Sequence, residues 1–150
     1  MSKRIRAVAL MLMSGASGWA VAEEHIIEGV VTQWRPLVVF AQPGDTVRFK
    51  NMTGHDTETI EGMIPEGATP WKSSLGEEGY SVELTHEGAY IYKCNPHITT
   101  GMVGVIVVGD ARPPQNLAAI EGNLDNVKVG KNMVNRVLKK LDQAIAAEGQ

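Results

Sequence analysis

Short apolar runs alternate with turn-forming segments along most of the chain, which is typical of an all-β domain. Val47 and Phe49 alternate with Arg48 and Lys50, and this pattern predicts a strand with one buried face. The preceding turn is predicted by Gln42-Pro43-Gly44-Asp45. Further predicted strands cover residues 25–31, 37–40, 57–60, 80–84, 89–94 and 103–108. This spacing favours a Greek-key β-sandwich or barrel over a βαβ fold.

The pattern changes after Gly109, where Arg112-Pro113-Pro114 predicts a rigid connector. Beyond it, 117–120 predicts a short helix and 127–147 a longer one. Apolar residues recur at helical spacing in the longer segment, at Met133, Val134, Val137, Leu138, Leu141 and Ile145. We expect this helical extension, residues 113–150, to pack against the sandwich.

The first 22 residues have the pattern of a secretory signal peptide. Lys3, Arg4 and Arg6 form a basic start, and an apolar stretch follows from Ala7 to Met13. Ala20-Val21-Ala22 then matches an A-x-A cleavage site, so the mature chain is expected to begin at Glu23. The apolar stretch falls well short of the roughly 20 residues that span a bilayer. The sequence therefore predicts an exported protein without a membrane anchor, located in the periplasm.

Residues 23–150 have the size of one domain with a sizeable core. Removal of three basic residues changes the formal net charge of −3 to −6. An acidic chain of this kind lacks the basic patch that nucleic-acid binding requires.

The most specific chemical feature is the segment from Cys94 to Met102. It places a thiol, an imidazole at His97 and a thioether within one predicted loop between two strands. Cys94 is the only cysteine, so it has no disulfide partner within the chain. Thiolate and thioether ligands beside imidazole select copper, and two histidines, one cysteine and a weak axial methionine form an electron-transfer site. Each residue alone would be an ordinary core residue, but three in one loop indicate a metal site.

The second histidine must come from elsewhere in the chain. His25 is near the mature N-terminus and His86 is in a turn, so both are expected to be solvated surface residues. His55 follows a predicted strand, at a position from which a loop could reach Cys94. The predicted ligands are therefore His55, Cys94, His97 and Met102. Cysteine–histidine nucleophilic catalysis gives Met102 no role, and zinc has little use for a thioether.

In these motifs the sequence resembles the cupredoxins, and among them it is most similar to the pseudoazurins. The similarity covers nearly the whole mature chain. It includes the segments 41–45, 54–55, 62–67 and 101–104, and the two helices after the last strand. The resemblance implies a Greek-key sandwich with one type 1 copper ion near one end. It also implies a non-enzymatic electron carrier that docks transiently with periplasmic redox proteins as a monomer. A copper-tolerance or copper-handling protein, whose second and weaker copper site would use His25, His86 and the extra methionines, is the alternative.

One position departs from the family pattern. The residue after the first histidine is normally asparagine, whereas here it is Asp56, and Asn95 follows the cysteine. We expect the Asp56 carboxylate to accept a hydrogen bond from the Asn95 amide and to lower the copper potential. The alternative is that Asp56 simply faces solvent.

The resemblance also predicts a docking face. His97 is the expected electron port beside Pro96 and Ile98, and Met63, Ile64 and Pro65 are expected to extend this apolar patch. Lys72 and Lys93 are expected to meet acidic partners.

Overall fold

The computed structural model describes residues 21–149, so the basic start and apolar stretch of the predicted signal peptide lie outside the described residues. Eight strands form two four-stranded sheets. The strands are β1 (Glu24–Val30), β2 (Gln33–Arg35), β3 (Val38–Ala41), β4 (Thr46–Lys50), β5 (Glu58–Thr59), β6 (Ser81–Glu83), β7 (Gly88–Lys93) and β8 (Val103–Val108). The sheet orders are β2-β1-β4-β6 and β3-β8-β7-β5. The predicted Greek-key β-sandwich is confirmed.

Each sheet contains one parallel pair, β1 with β4 and β3 with β8, and its other pairs are antiparallel. In the parallel pair of the first sheet, Glu28 is opposite Lys50, so β1 and β4 end side by side. In the second sheet, Lys93 at the end of β7 is opposite Val103 at the start of β8. The loops that follow β4 and β7 carry the predicted ligands.

Aromatic side chains fill the space between the sheets. Val47 and Phe49 are fully buried, as their alternation with charged residues predicts. Phe49 packs edge-on against Trp34 and Tyr92, with ring centroids 5.5 and 5.4 Å apart. Such pairs stabilise a core beyond the burial of their area.

The two predicted C-terminal helices are confirmed as α1 (Leu117–Gly122) and α2 (Lys131–Glu148). The apolar stripe of α2 is buried on the outer face of the second sheet, through Val134, Val137, Leu138 and Leu141. The helix begins at Lys131 rather than Val127 because Gly130 has a φ of +79°, outside the helical region. None of the helices between residues 21 and 149 combines the length and apolarity needed to cross a bilayer.

Candidate metal centre

Three potential ligand atoms converge at the end of the sandwich. The Nδ1 atoms of His55 and His97 are 3.1 Å apart. The Cys94 Sγ lies 3.7 Å from the first and 3.5 Å from the second. Within the part of the chain that the structure describes, these three residues form the only cluster of His, Cys, Asp or Glu side chains with this geometry. The structure thus brings together three of the four residues predicted as ligands.

The loop after β7 positions Cys94, His97 and Met102 through its own backbone. The Cys94 N–H donates to the Met102 carbonyl at 3.0 Å, and the Met102 N–H donates to the His97 carbonyl at 3.1 Å. A 3₁₀ turn, Ile98–Thr100, ends at Gly101, whose φ of +107° reverses the chain. Met102 is fully buried in the same core cluster as Cys94. The thioether is therefore held in the loop that carries the thiol and one imidazole.

His55 reaches the site from the other sheet, after β4. Its N–H donates to the Met52 carbonyl, and its own carbonyl accepts from the Gly76 N–H, both at 2.8 Å. The imidazole packs against Gly29 of β1, where a Cβ would lie only 2.7 Å from the His55 Cδ2. A glycine at this position therefore lets the ring approach the strand, which the sequence alone did not reveal.

The spacing of the three donor atoms suits a metal ion. Given separations of 3.1, 3.5 and 3.7 Å, the point equidistant from them is about 2.0 Å from each, near the metal–imidazole distance of about 2.0–2.1 Å in zinc proteins. Two imidazole nitrogens, a thiolate and a nearby thioether form the donor set that selects copper. The residues present therefore fit a type 1 copper ion.

Asp56 and Asn95 connect the two ligand loops directly. The Asn95 backbone N–H donates to the Asp56 Oδ1 at 2.6 Å, and the Asn95 side-chain amide donates to the Oδ2 at 2.9 Å. Asp56 is buried, so the expected hydrogen bond is confirmed and the solvent-facing alternative is wrong. The same amide also donates to the Glu58 Oε2 at 2.6 Å, a contact that sequence reasoning missed.

Burial disfavours the charged form of both groups that lie deepest in the site. It lowers the pKa of His55, assisted by the nearby His97 and opposed by the Asp56 carboxylate. Burial also raises the pKa of the Cys94 thiol, although hydrogen bonds from the Asp56 and His97 backbones act in the opposite direction. A neutral imidazole is ready to bind a metal, and a bound cation would stabilise the thiolate that burial disfavours.

The two histidines outside the site differ from each other. The His25 Nε2 lies 2.9 Å from the buried Asp45 Oδ2, so the expectation of a solvated residue is wrong for His25. His86 is exposed, as expected, and its ring contacts the Thr85 hydroxyl at 2.8 Å.

The predicted extension of the apolar patch is wrong. Met63 is fully buried, and its carbonyl accepts from the Ile91 N–H in the middle of β7. Pro65 lies beside Gly88, at the opposite end of β7 from Cys94. Ile98 is also buried, so of the three loop residues expected at this face only Pro96 and part of His97 reach the surface.

Lys72 and Lys93 lie near the site but share one acidic partner. Their Nζ atoms are 3.4 and 4.0 Å from the Glu58 Oε2. Burial raises the pKa of Glu58, but the Asn95 amide and the two lysines together hold it below its usual value. Glu58 therefore offsets part of the positive charge expected on this face.

Comparison with known proteins agrees with this geometry. The profile of the family described as copper binding proteins, plastocyanin/azurin family, matches residues 23–109. A pseudoazurin from Methylorubrum extorquens is 35% identical over 143 residues, covering 93% of this chain and 88% of the relative. A pseudoazurin from Paracoccus pantotrophus is 38% identical over 118 residues, covering 75% and 79% respectively.

A solved structure also shares the fold. The pseudoazurin crystal structure from Methylobacterium extorquens AM1 superposes with a TM-score of 0.69 at 34% identity, covering 81% of this chain and 98% of that one. The chain therefore belongs to the copper-binding plastocyanin/azurin family and, within it, to the pseudoazurins, with copper as its cofactor.

Proposed function

We propose that this protein carries single electrons on one copper ion held by His55, Cys94, His97 and Met102. The observation that carries the proposal is the convergence of the two imidazole nitrogens and the thiol sulfur within 3.7 Å of one another. The burial of Met102 in the same core cluster as Cys94 supports its role as the thioether ligand that would complete the site. A copper ion held by these residues would supply a one-electron couple between Cu(II) and Cu(I).

Burial of the ligands favours electron transfer over catalysis. Cys94 and Met102 are fully buried, and His55 is only 6% exposed. Four protein ligands would leave no open position for a substrate, whereas catalytic metal sites keep one. His97 is partly exposed and is the proposed port through which electrons enter and leave.

The protein's own role is to hold the ligands still between the two oxidation states. Backbone hydrogen bonds within the loop fix Cys94, His97 and Met102 relative to one another. Asp56 and Asn95 fix this loop to the one that carries His55. Supporting contacts of this kind orient ligands and tune the metal.

We propose a different apolar docking surface from the one expected from sequence. Each of three exposed residues adjoins a segment that touches the site: Val31 follows β1, Leu75 precedes Gly76, and Pro96 precedes His97. Val31 is 82% exposed and Leu75 is 65% exposed. A small apolar surface of this kind suits weak, transient redox encounters with other periplasmic proteins. We propose that the protein does this as a monomer.

The proposed location rests on the N-terminal sequence. A signal peptide over residues 1–22 would deliver residues 23–150, as a single cupredoxin domain, to the periplasm. N-terminal sequencing of the protein purified from periplasmic extract is expected to begin at Glu23, and a mature chain that retains Lys3 would contradict export by this signal.

Among residues 21–149, the contacts of His25 and His86 do not favour the copper-handling alternative. The two histidines of its second site are each engaged elsewhere, His25 with Asp45 and His86 with Thr85. Counting copper ions per chain distinguishes the two functions, since a shuttle binds one.

The central test is the absorption spectrum of the copper-loaded protein. We expect an intense visible thiolate-to-copper band, which disappears in Cys94→Ala and persists in the surface control His86→Gln. A wild-type protein without this band would refute the proposed site.

A further inference from the structure

A chain of aromatic rings leads from the copper site through the core. Trp34 packs against the His55 imidazole with ring centroids 6.2 Å apart, and against Tyr92 at 5.6 Å. Tyr92 lies 6.0 Å from Trp71, which stacks on Tyr90 at 5.9 Å with an interplanar angle of 27°. Trp34 and Trp71 are the only tryptophans of the expected mature chain, since Trp19 lies in the signal peptide.

Two polar atoms in the inner part of the aromatic chain reduce the stability of the fold. The Trp34 Nε1 and the Tyr92 hydroxyl are buried without a hydrogen-bond partner among residues 21–149. An unsatisfied buried donor of this kind costs about 1–3 kcal/mol, and a redox role is one recognised reason for keeping it. A tryptophan N–H with no acceptor keeps its proton when the ring loses an electron. Oxidation of Trp34 would therefore be reversible.

The outer end of this chain of aromatic rings, at Trp71 and Tyr90, is close to the surface. Trp71 is 6% exposed, and its Nε1 donates to the Thr57 hydroxyl at 3.0 Å. It borders two surface depressions, one lined by Glu58 and Ile64 and the other by Tyr80 and Tyr90. The Tyr90 hydroxyl donates to the backbone carbonyl of the exposed His86. An oxidant at this side of the molecule would thus meet Trp71 and Tyr90 first.

We propose that Trp34, Tyr92 and Trp71 form an internal electron route that lets reduced copper repair oxidative damage arriving at Trp71. This inference rests on the proposed function, because it uses the copper ion as the electron donor. It gives the protein a second activity, protection against strong one-electron oxidants, beside electron transfer through His97.

The electrons balance without any proton leaving the protein. A one-electron oxidant, such as a carbonate radical or a photogenerated Ru(III) complex, takes one electron from Trp71 and is itself reduced. An electron from Trp34 then refills Trp71 across Tyr92, which bridges the two rings. Cu(I) supplies the electron that refills Trp34 and becomes Cu(II). A tryptophan radical cation is a far stronger oxidant than Cu(II), so the electron moves only outward from the copper.

The route can be tested by placing the oxidant at a defined site. A ruthenium polypyridyl complex is coordinated to His86 in a His25→Gln background, and a laser flash with a quencher generates Ru(III). The rise of the Cu(II) visible band reports electron delivery from copper. We expect Trp71→Phe and Trp34→Phe each to slow this rise by about tenfold or more. The control Phe40→Leu, outside the chain of rings, is expected to leave it unchanged.

A second label site and a metal-free measurement complete the test. The complex is moved to α2 by combining His86→Gln with Lys139→His. From this position, the rate of Cu(II) formation is expected to be insensitive to Trp71→Phe. In copper-free protein the route has no electron source, so mass spectrometry is expected to find more oxidised Trp71 and Trp34 than in the Cu(I) protein. The route would be overturned if neither tryptophan substitution changed the rate of Cu(II) formation from the His86 label. It would also be overturned if Trp71 and Trp34 were oxidised equally with and without copper. Absence of the visible band before reduction would instead refute the proposed copper site.

Discussion

Replacing Asp56 by asparagine is expected to raise the reduction potential of the copper. The Asp56 carboxylate accepts hydrogen bonds from the backbone N–H and the side-chain amide of Asn95, the residue next to Cys94. A negative charge beside the site stabilises Cu(II) more than Cu(I). Asp56→Asn removes that charge and nearly conserves the shape of the side chain.

Coulomb's law sets the order of magnitude of the effect. Two unit charges 4 Å apart interact by about 4 kcal/mol at an effective dielectric constant of 20, and by about 2 kcal/mol at roughly twice that separation. For a one-electron couple, about 2 kcal/mol corresponds to about 85 mV. Because Asp56 is 8% exposed, solvent screens part of this interaction. We expect a rise of about 40–85 mV.

Cyclic voltammetry of the copper protein measures this shift, with two matched controls. Glu58→Gln removes a carboxylate that contacts the same Asn95 amide but is paired with Lys72 and Lys93, so a smaller rise is expected. Asp142→Asn on the exposed side of α2 is expected to change nothing. An unchanged or lower potential in Asp56→Asn, with the visible band intact, would refute the electrostatic reasoning.

Three further predictions concern docking, the fit of His55 and acid stability. Lys72→Glu combined with Lys93→Glu is expected to slow electron transfer to an acidic acceptor and to flatten its salt dependence in stopped-flow measurements, and unchanged rates at low salt would contradict this docking side. Gly29→Ala would place a Cβ 2.7 Å from the His55 Cδ2, so copper competition titrations should show about tenfold weaker binding or more, whereas Gly122→Ala, which meets open space, should not. Burial raises the pKa of Asp45, but hydrogen bonds from the Glu23 and Gln42 backbones and from His25 together hold it below its usual range. Its stabilisation is therefore complete above about pH 4 and is lost as the pH falls below that. Asp45→Asn should lower the unfolding free energy in urea by about 1–3 kcal/mol at pH 7. A difference in unfolding free energy between the wild type and this variant that stayed constant into the acid range would contradict this.

Local pattern was sufficient for most of the fold. Alternation and turn residues act over a few positions, so the strand around Val47 and the buried stripe of α2 could be read directly. β2 was missed because it has three residues and only one inward side chain, Trp34, which is too short for a period to show. The start of α2 was placed too early because its apolar pattern continues through Val127, whereas the backbone at Gly130 is not helical.

The ligands that share one loop could be predicted from local sequence, whereas contacts between distant segments could not. Cys94, His97 and Met102 share one loop, so their spacing alone indicated a metal. Contacts such as Glu58 with Asn95 depend on how β5 pairs with β7, which no local pattern specifies. The course of the Met63 loop depends on its hydrogen bond to Ile91 and could not be read from its apolar composition.

The two ligand loops belong to different sheets, and this gives the metal a mechanical role. His55 follows a strand of the first sheet and Cys94 a strand of the second, 39 residues apart in sequence. A bound ion joins them as a covalent cross-link would, in a chain whose single cysteine has no partner for a disulfide. Closing a loop of this length with a disulfide restricts the unfolded chain by about 4 kcal/mol. Bound copper would thus hold the two sheets together at the end of the sandwich that carries the ligand loops.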